Sequence, residues 1–412
     1  REIGVGDEFD GVERVGDERL RSSERHPPEL HLRQAGHFGE PAHDERESIA
    51  GSNKRADPVG VIEKRVVRED LVGKYRDATF GGEGFEPQRH GFDINIAGDV
   101  TGTPLSYFAP FKGKSRDGKE RFMPGLEQAP DGEYLTDRLT TEAEKIIAAN
   151  RDKPFFLYFA HYTVHTPLKA KAETIAKYPQ LAGRAGQQTN AIYAAMIESM
   201  DDSVGRILKQ LDDLKLAERT YVFFTSDNGG LATVEGPSTP STINSPLREG
   251  KGYLYEGGIR VPLLVRGPGV VPNSTNSVPM SSVDYFPTIL ELAGLPVVES
   301  RESRVEGKAS AALDQIDGVS LVPALKGASP PSTRPLFWHY PHYSNQGGKP
   351  GGAIRDGDFK LIEFYETGRV ELFDLKSGEN RNLADDPAHA ARVNAMVAKL
   401  DTWRIQTGAQ MM

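Results

Sequence analysis

Tyr221-Val222-Phe223-Phe224-Thr225-Ser226-Asp227-Asn228-Gly229-Gly230 is an apolar run that stops at an acid–amide pair and two glycines. Further on, Gly250 to Gly258 reads GKGYLYEGG. A buried strand ending in Asp-Asn delivers a carboxylate and an amide oxygen to the carboxyl edge of a sheet, where open α/β folds keep their ligands. Two adjacent hard oxygens suit Ca²⁺ or Mg²⁺. The same four residues also suit a tight turn, because Asp, Asn and Gly tolerate positive φ, and taken alone they leave both readings open. Lys251 stands between two glycines that let backbone approach an anion; the plainer reading is a solvated loop lysine. Glu256-Gly257-Gly258-Ile259-Arg260-Val261-Pro262 then leads into a second apolar run.

Working outward, Tyr134 to Asn150 has Leu135, Leu139, Ala143, Ile146 and Ile147 near helical spacing. Phe155 to Ala160 reads as an apolar strand, ending in His161-Tyr162-Thr163-Val164-His165-Thr166-Pro167. Ile192, Met196, Met200, Val204, Ile207, Leu208, Leu211 and Leu214 trace one face of a long helix that feeds the strand at Tyr221. Strand, helix and parallel strand predict a βαβ unit in a sheet covered on both faces. A helix is predicted over Asp284–Leu292. Beyond Pro335 come short strands at Leu336–Tyr340, Phe359–Tyr365 and Val370–Leu375, covered by a final helix bearing Val393, Met396, Val397, Leu400 and Trp403.

The 412 residues carry a net charge of −9, which argues against a nucleic-acid partner. No apolar run approaches a membrane span. With no cysteine, disulfides, thiolate metal sites and cysteine nucleophiles are ruled out. Residues 1–75 mix charges of both signs without helical or strand periodicity, the composition of a disordered or non-native segment. Residues 76–316 are expected to form an α/β domain with a polar linker from 298, and 317–412 a small-sheet subdomain. Gly113-Lys114-Ser115 lacks the first glycine of a phosphate loop, since Phe108 holds that position.

Three segments in order, the HYTVHTP strand end, the SDNGG strand end and LREGKGYLYEGGIRVP, resemble motifs of the sulfatase family in the alkaline-phosphatase-like superfamily. The resemblance covers roughly residues 81–412. It implies an alkaline-phosphatase-like α/β sheet covered by helices, with a small C-terminal α+β subdomain. Arg89-His90-Gly91-Phe92-Asp93, with Gly98 and Asp99, resembles a loop that follows a Gly-Lys-x-His motif in the family. The matching upstream stretch, Gly73-Lys74-Tyr75-Arg76, has arginine in the histidine position, so that motif is not carried over.

By resemblance, Asp227 and Asn228 ligate a divalent cation, most often Ca²⁺. Lys251 neutralises the sulfate and its leaving oxygen, and His165 binds sulfate or protonates that oxygen. Without the family, His165 would read as a structural histidine before a proline. Arg248 reaches either substrate or solvent. His339 and His342, in a segment dense in aromatic and polar groups, are substrate-contact candidates, with a rim loop as the alternative. His161 could share a face with His165 if the strand continued that far, but no motif residue of the family falls on it, and it reads as structural.

Sulfatases of this type use a formylglycine nucleophile made in a Cys/Ser-x-Pro-x-Arg motif, together with an early carboxylate pair for the metal. The serine look-alikes Ser238-Thr239-Pro240-Ser241-Thr242, Ser277-Val278-Pro279-Met280-Ser281 and Ser329-Pro330-Pro331-Ser332-Thr333 each have a hydroxyl residue where arginine is needed. The expectation is therefore a sulfuric ester hydrolase by descent, acting on sulfated carbohydrate or aryl sulfate esters and inactive as written. The alternatives are a phosphoryl or phosphonate hydrolase of the same superfamily and a non-catalytic glycan-binding remnant. Periplasmic or secreted localisation follows from the resemblance alone.

Overall fold

A computed structural model describes residues 87–98, 103–114, 118–178, 188–295, 316–328 and 334–411. All belong to one unit, Pro58–Met412; a second unit, Arg1–Asp57, lies outside them. Also outside lie the whole segment 1–75, the Gly73–Arg76 stretch, Asp99, Ser115, the expected linker up to residue 315 and the Ser329–Thr333 look-alike.

A short hairpin, β1 (Lys112–Lys114) and β2 (Glu120–Phe122), precedes helix α1 (Leu135–Ala149). Leu135, Leu139, Ala143 and Ile147 recur every four residues and are buried, as the periodicity requires. After the single turn α2 (Ala172–Ile175) comes α3 (Ala191–Asp213), opened by Asn190, whose side chain accepts from the Tyr193 N–H. Its most buried residues are Ala195, Met196, Ser199, Ser203 and Leu211, smaller than the apolar face read from the sequence. These small side chains let α1 and α3 approach closely enough for the Thr140 and Ser203 hydroxyls to meet at 2.5 Å.

β3 (Val222–Thr225) forms where YVFF predicts it, and β4 (Leu263–Arg266) follows the single turn α4 (Glu256–Ile259). Of the expected βαβ unit the helix and the strand at Tyr221 form, whereas the first strand joins no ladder among the described residues. β3 and β4 are antiparallel, with Val222 opposite Arg266 and Thr225 opposite Leu263. The chain between them carries no crossover helix beyond that one turn, so it simply returns alongside β3. Pro154–Ala160 is not part of a ladder among the described residues. Its side chains still alternate: Phe155 and Leu157 pack with Ile147, Ile207, Leu211 and Val222, whereas Phe156 and Tyr158 are 55% and 74% exposed. The layering holds even so, because Phe223 meets Tyr285 of α5 (Tyr285–Leu292) edge-on at 6.2 Å. Ser281 caps the short 3-10 turn Ser282–Asp284 that leads into α5, in a capping box with Asp284. Residues 316–328, including α6 (Val322–Leu325), join α5 through the Leu321 N–H bond to Thr288 Oγ1.

The C-terminal sheet is an antiparallel meander of β5 (Leu336–Tyr340), β6 (Gly351–Asp356), β7 (Phe359–Phe364) and β8 (Arg369–Asp374). Neighbouring residues point to opposite faces. Ile354, Leu361 and Leu372 pack under Met396 and Leu400 of α7 (Ala390–Gln406), while Ala353, Ile362 and Phe373 pack on Tyr255 and its neighbours Tyr253 and Leu254. The second face of this small sheet is thereby the bed on which the Lys251 loop lies.

Candidate active site

His165 sits in the loop after the extended Pro154–Ala160 segment, and the buried Tyr107 holds that loop. The Tyr107 hydroxyl donates towards the carbonyls of both Tyr162 and His165 at 2.8 Å. Burial pushes the Tyr107 phenol up, so it stays a neutral donor. The imidazole Nδ1 lies 2.7 Å from the Thr166 carbonyl oxygen, which can only accept. Nδ1 therefore carries a proton, and in the neutral ring Nε2 is the free acceptor.

Lys251 supplies the donor to that acceptor. Its Nζ stands 3.3 Å from His165 Nε2, so two residues far apart in the chain are brought into contact. The lysine loop is tied to the SDNGG turn backbone to backbone. Lys251 N–H donates to the Gly230 carbonyl at 3.1 Å, and Gly229 N–H to the Gly258 carbonyl at 2.9 Å. Asn244 staples the same two segments, accepting from Gly230 N–H and donating to the carbonyls of Gly230 and Glu249. A Cβ at Gly229 would collide with the Gly257 carbonyl, and one at Gly252, where φ is +88°, with the Ser344 hydroxyl. Glycine at these two places is thus a condition of the close approach.

Asp227 and Asn228 occupy the turn that leads into Gly229-Gly230. The Asp227 carboxylate is exposed, and its Oδ1 accepts from the Asn228 N–H at 2.9 Å. Two oxygens fall well short of the roughly six to eight that Ca²⁺ takes. Among the described residues no group of three or more His, Cys, Asp or Glu stands where it could hold a metal ion. The acid–amide pair by itself does not fit a calcium site.

The other sequence candidates point elsewhere. The Arg248 guanidinium lies 3.9 Å from the centroid of the Tyr255 ring and donates to the Glu379 carbonyl, which ties it to the C-terminal sheet. His339 bonds through both nitrogens, to the Tyr365 hydroxyl at 2.6 Å and the Gln410 carbonyl at 2.9 Å. His342 is exposed and meets Tyr340 edge-on. His161 packs on Phe159, has no partner at Nδ1, and is pushed down to about 4 by burial.

Sequence reading passed over Tyr107 and Asn244, and took the segment around Ser344 as a substrate-contact or rim loop, not as packing for the lysine loop. Gly348 and Ser344 pack against Gly252, and the Tyr253 hydroxyl donates to the Gln346 carbonyl. It also passed over a buried ionic knot, in which Lys360 of β7 lies 3.1 Å from both Glu256 and Glu379. None of these residues belongs to a local pattern, since each acts on a partner distant in sequence.

Comparison with known proteins sets this geometry in a family. The Sulfatase family model matches residues 67–295, and the model described as N-sulphoglucosamine sulphohydrolase, C-terminal, matches residues 250–406. A sulfatase of Formosa agariphila is 35% identical over 308 residues, which is 69% of this chain and 52% of the relative. Human steryl-sulfatase is 36% identical over 220 residues, 52% of this chain and 33% of that protein. The crystal structure of Ps i-CgsB in complex with k-i-k-neocarrahexaose aligns with a TM-score of 0.58 at 26% identity, covering 78% of this chain and 68% of that one. The chain spans about half the length, or less, of the two curated relatives.

Proposed function

Because the chain belongs to the sulfatase family, with its alkaline-phosphatase-like fold, we propose that it is a sulfuric ester hydrolase by class whose His165–Lys251 pocket receives the sulfate group. The observation that carries this is the 3.3 Å approach of Lys251 Nζ to His165 Nε2. An ammonium beside an imidazole is suited to a sulfate monoester, whose transition state gathers negative charge on the leaving oxygen. Lys251 binds and neutralises the anion. With Nδ1–H held on Thr166, Nε2 is the ring atom that faces the site, and a proton taken up there from solvent would be the one passed to the leaving oxygen.

Asp227 and Asn228 are assigned as two of the donors to the divalent cation on which the family generally relies, a set that needs further oxygens to hold it. The substrate class is a sulfated carbohydrate or an aryl sulfate ester. Support comes from the relatives, one a steryl-sulfatase and one structure solved with an oligosaccharide. His342, exposed beside Tyr340, is assigned to the sugar-facing rim. His339 can join it only by giving up its bonds to Tyr365 and Gln410. Among the described residues no helix is long and apolar enough to cross a membrane.

These 412 residues contain no Cys/Ser-x-Pro-x-Arg sequence, so we propose that on their own they bind substrate without turning it over. Calorimetric titration with inorganic sulfate, and a 4-nitrophenyl sulfate assay with added Ca²⁺, test both halves. Sulfate affinity is expected to fall about tenfold or more in K251A, equivalent to about 1.4 kcal/mol. Unchanged affinity in K251A refutes the pocket assignment, and turnover by the parent chain refutes the reading of the nucleophile.

A further inference from the structure

We propose that Lys360 is a positioning residue for Lys251: from β7 its ammonium grips Glu256 and Glu379, and so fixes the turn that aims the lysine loop at His165. The inference rests on the reading of Lys251 as the sulfate-binding cation.

The Lys360 side chain is fully buried, yet it lies in the strand whose next two residues, Leu361 and Ile362, are core. Its Nζ is 3.1 Å from Glu256 Oε1 and 3.1 Å from Glu379 Oε1, both carboxylates being almost wholly buried. The second oxygen of Glu379 accepts the Glu256 N–H at 2.7 Å, so the same carboxylate seizes both the side-chain partner and the backbone of the turn. Around this knot, Arg260 stands 3.9 Å from Glu256 Oε2, and Arg248 donates to the Glu379 carbonyl from above Tyr255. Tyr255 in turn donates to Glu371, which pairs with Arg369.

Two carboxylates against one ammonium leave an excess negative charge in a dry place. Burial accordingly pushes the Glu379 carboxyl up, against the pull of Lys360. Such an arrangement is a poor way to add stability, since well-packed apolar residues usually do as well or better. What it supplies is location. The lysine loop contains Gly250, Gly252, Gly257 and Gly258, whose lack of side chains gives packing little to grip. A fork of two acids on one ammonium fixes the loop in both directions along the face of the sheet.

The path from the knot to the pocket is short and hydrogen-bonded throughout. Glu256 opens the turn; Gly257 N–H donates to the Arg248 carbonyl at 2.8 Å, Gly258 accepts from Gly229, and Gly230 accepts from Lys251. Displacing Glu256 therefore displaces the peptide on which Lys251 hangs.

The test uses the full chain with inorganic sulfate as the probe and the ¹⁵N resonance of His165 Nε2, identified by its loss in H165Q, as a second readout. In K360M/E256Q/E379Q the knot itself holds no buried charge, so the fold is expected to persist. Sulfate affinity should nevertheless fall about tenfold, and the His165 resonance should move towards its position in K251A. E256D keeps every charge but shortens one arm, and should show the same displacement in smaller degree at an unchanged unfolding temperature. If either variant folds with sulfate affinity within twofold of the parent and an unmoved His165 resonance, Lys360 does not position Lys251. Failure of K251A itself to weaken sulfate binding would instead overturn the reading of the pocket.

Discussion

Replacing Gly229 by alanine puts the packing of the pocket under direct test. A Cβ there would stand 2.8 Å from the Gly257 carbonyl carbon and 3.1 Å from Gly258 Cα, with the Gly257 oxygen nearer still. Those atoms are backbone and cannot rotate away, so the SDNGG turn and the EGG turn must separate. Overpacking of this kind costs about 1–3 kcal/mol. The Gly229 N–H bond to Gly258 is strained or lost with it, adding about 1 kcal/mol. The expected loss is thus about 2–4 kcal/mol, read from urea unfolding midpoints at constant slope. Gly205, in the middle of α3, is the matched control: a Cβ there meets nothing within 4 Å. G205A should therefore stabilise by about 0.5–1 kcal/mol, the usual gain for alanine over glycine in a helix. If G205A behaves so while G229A unfolds within 0.5 kcal/mol of the parent, by the same midpoint analysis, the backbone approach that defines the pocket is not present in solution.

Three further outcomes follow from other parts of the structure. His161 is buried with its pKa lowered to about 4 from 6.5. The unfolded chain accordingly takes up a proton that the fold refuses, and stability complete above pH 6.5 should fall by about 3 kcal/mol as the pH drops to 4. Urea midpoints at pH 7 and pH 4.5 should differ less in H161F, and equal differences in the two proteins would contradict the assignment. Y107F removes the hydroxyl shared by the Tyr162 and His165 carbonyls; it should destabilise by about 1–3 kcal/mol and weaken sulfate binding, whereas unaltered binding would show that the His165 loop is held by something else. Finally, millimolar Ca²⁺ should raise the unfolding temperature by less than about 1 °C, since two oxygens bind calcium weakly. A rise of several degrees would mean that Asp227 and Asn228 have ligand partners beyond those described.

Where local chemistry decides structure, the sequence was readable. The four-residue recurrence of Leu135, Leu139, Ala143 and Ile147 predicts α1, and the Val393–Trp403 spacing predicts the helix that covers the C-terminal sheet. β6 escaped because Gly351-Gly352-Ala353-Ile354 offers little apolar bulk, though all four residues are buried at the centre of the meander. Its glycines lie where larger side chains would strike Glu363 and Tyr365. That Phe155–Ala160 joins no ladder among the described residues escaped as well, because an apolar run encodes burial and not a pairing partner. In the pocket, His165 and Lys251 were legible by motif, but their supports were not. Tyr107 serves a residue 58 positions on, and Glu379 one 123 positions back.

Those separations also bear on the order of assembly. The meander and its covering helix draw on residues 336–406 alone, so they can close early and fast, as short-range topologies do. The Lys251 loop has to wait, since its anchor Glu379 is synthesised long after Glu256. During translation Lys251 therefore stays unaimed until the last sheet has emerged, and any arrest or proteolytic nick before that point yields a chain that has His165 and Lys251 but lacks the anchor of the lysine loop.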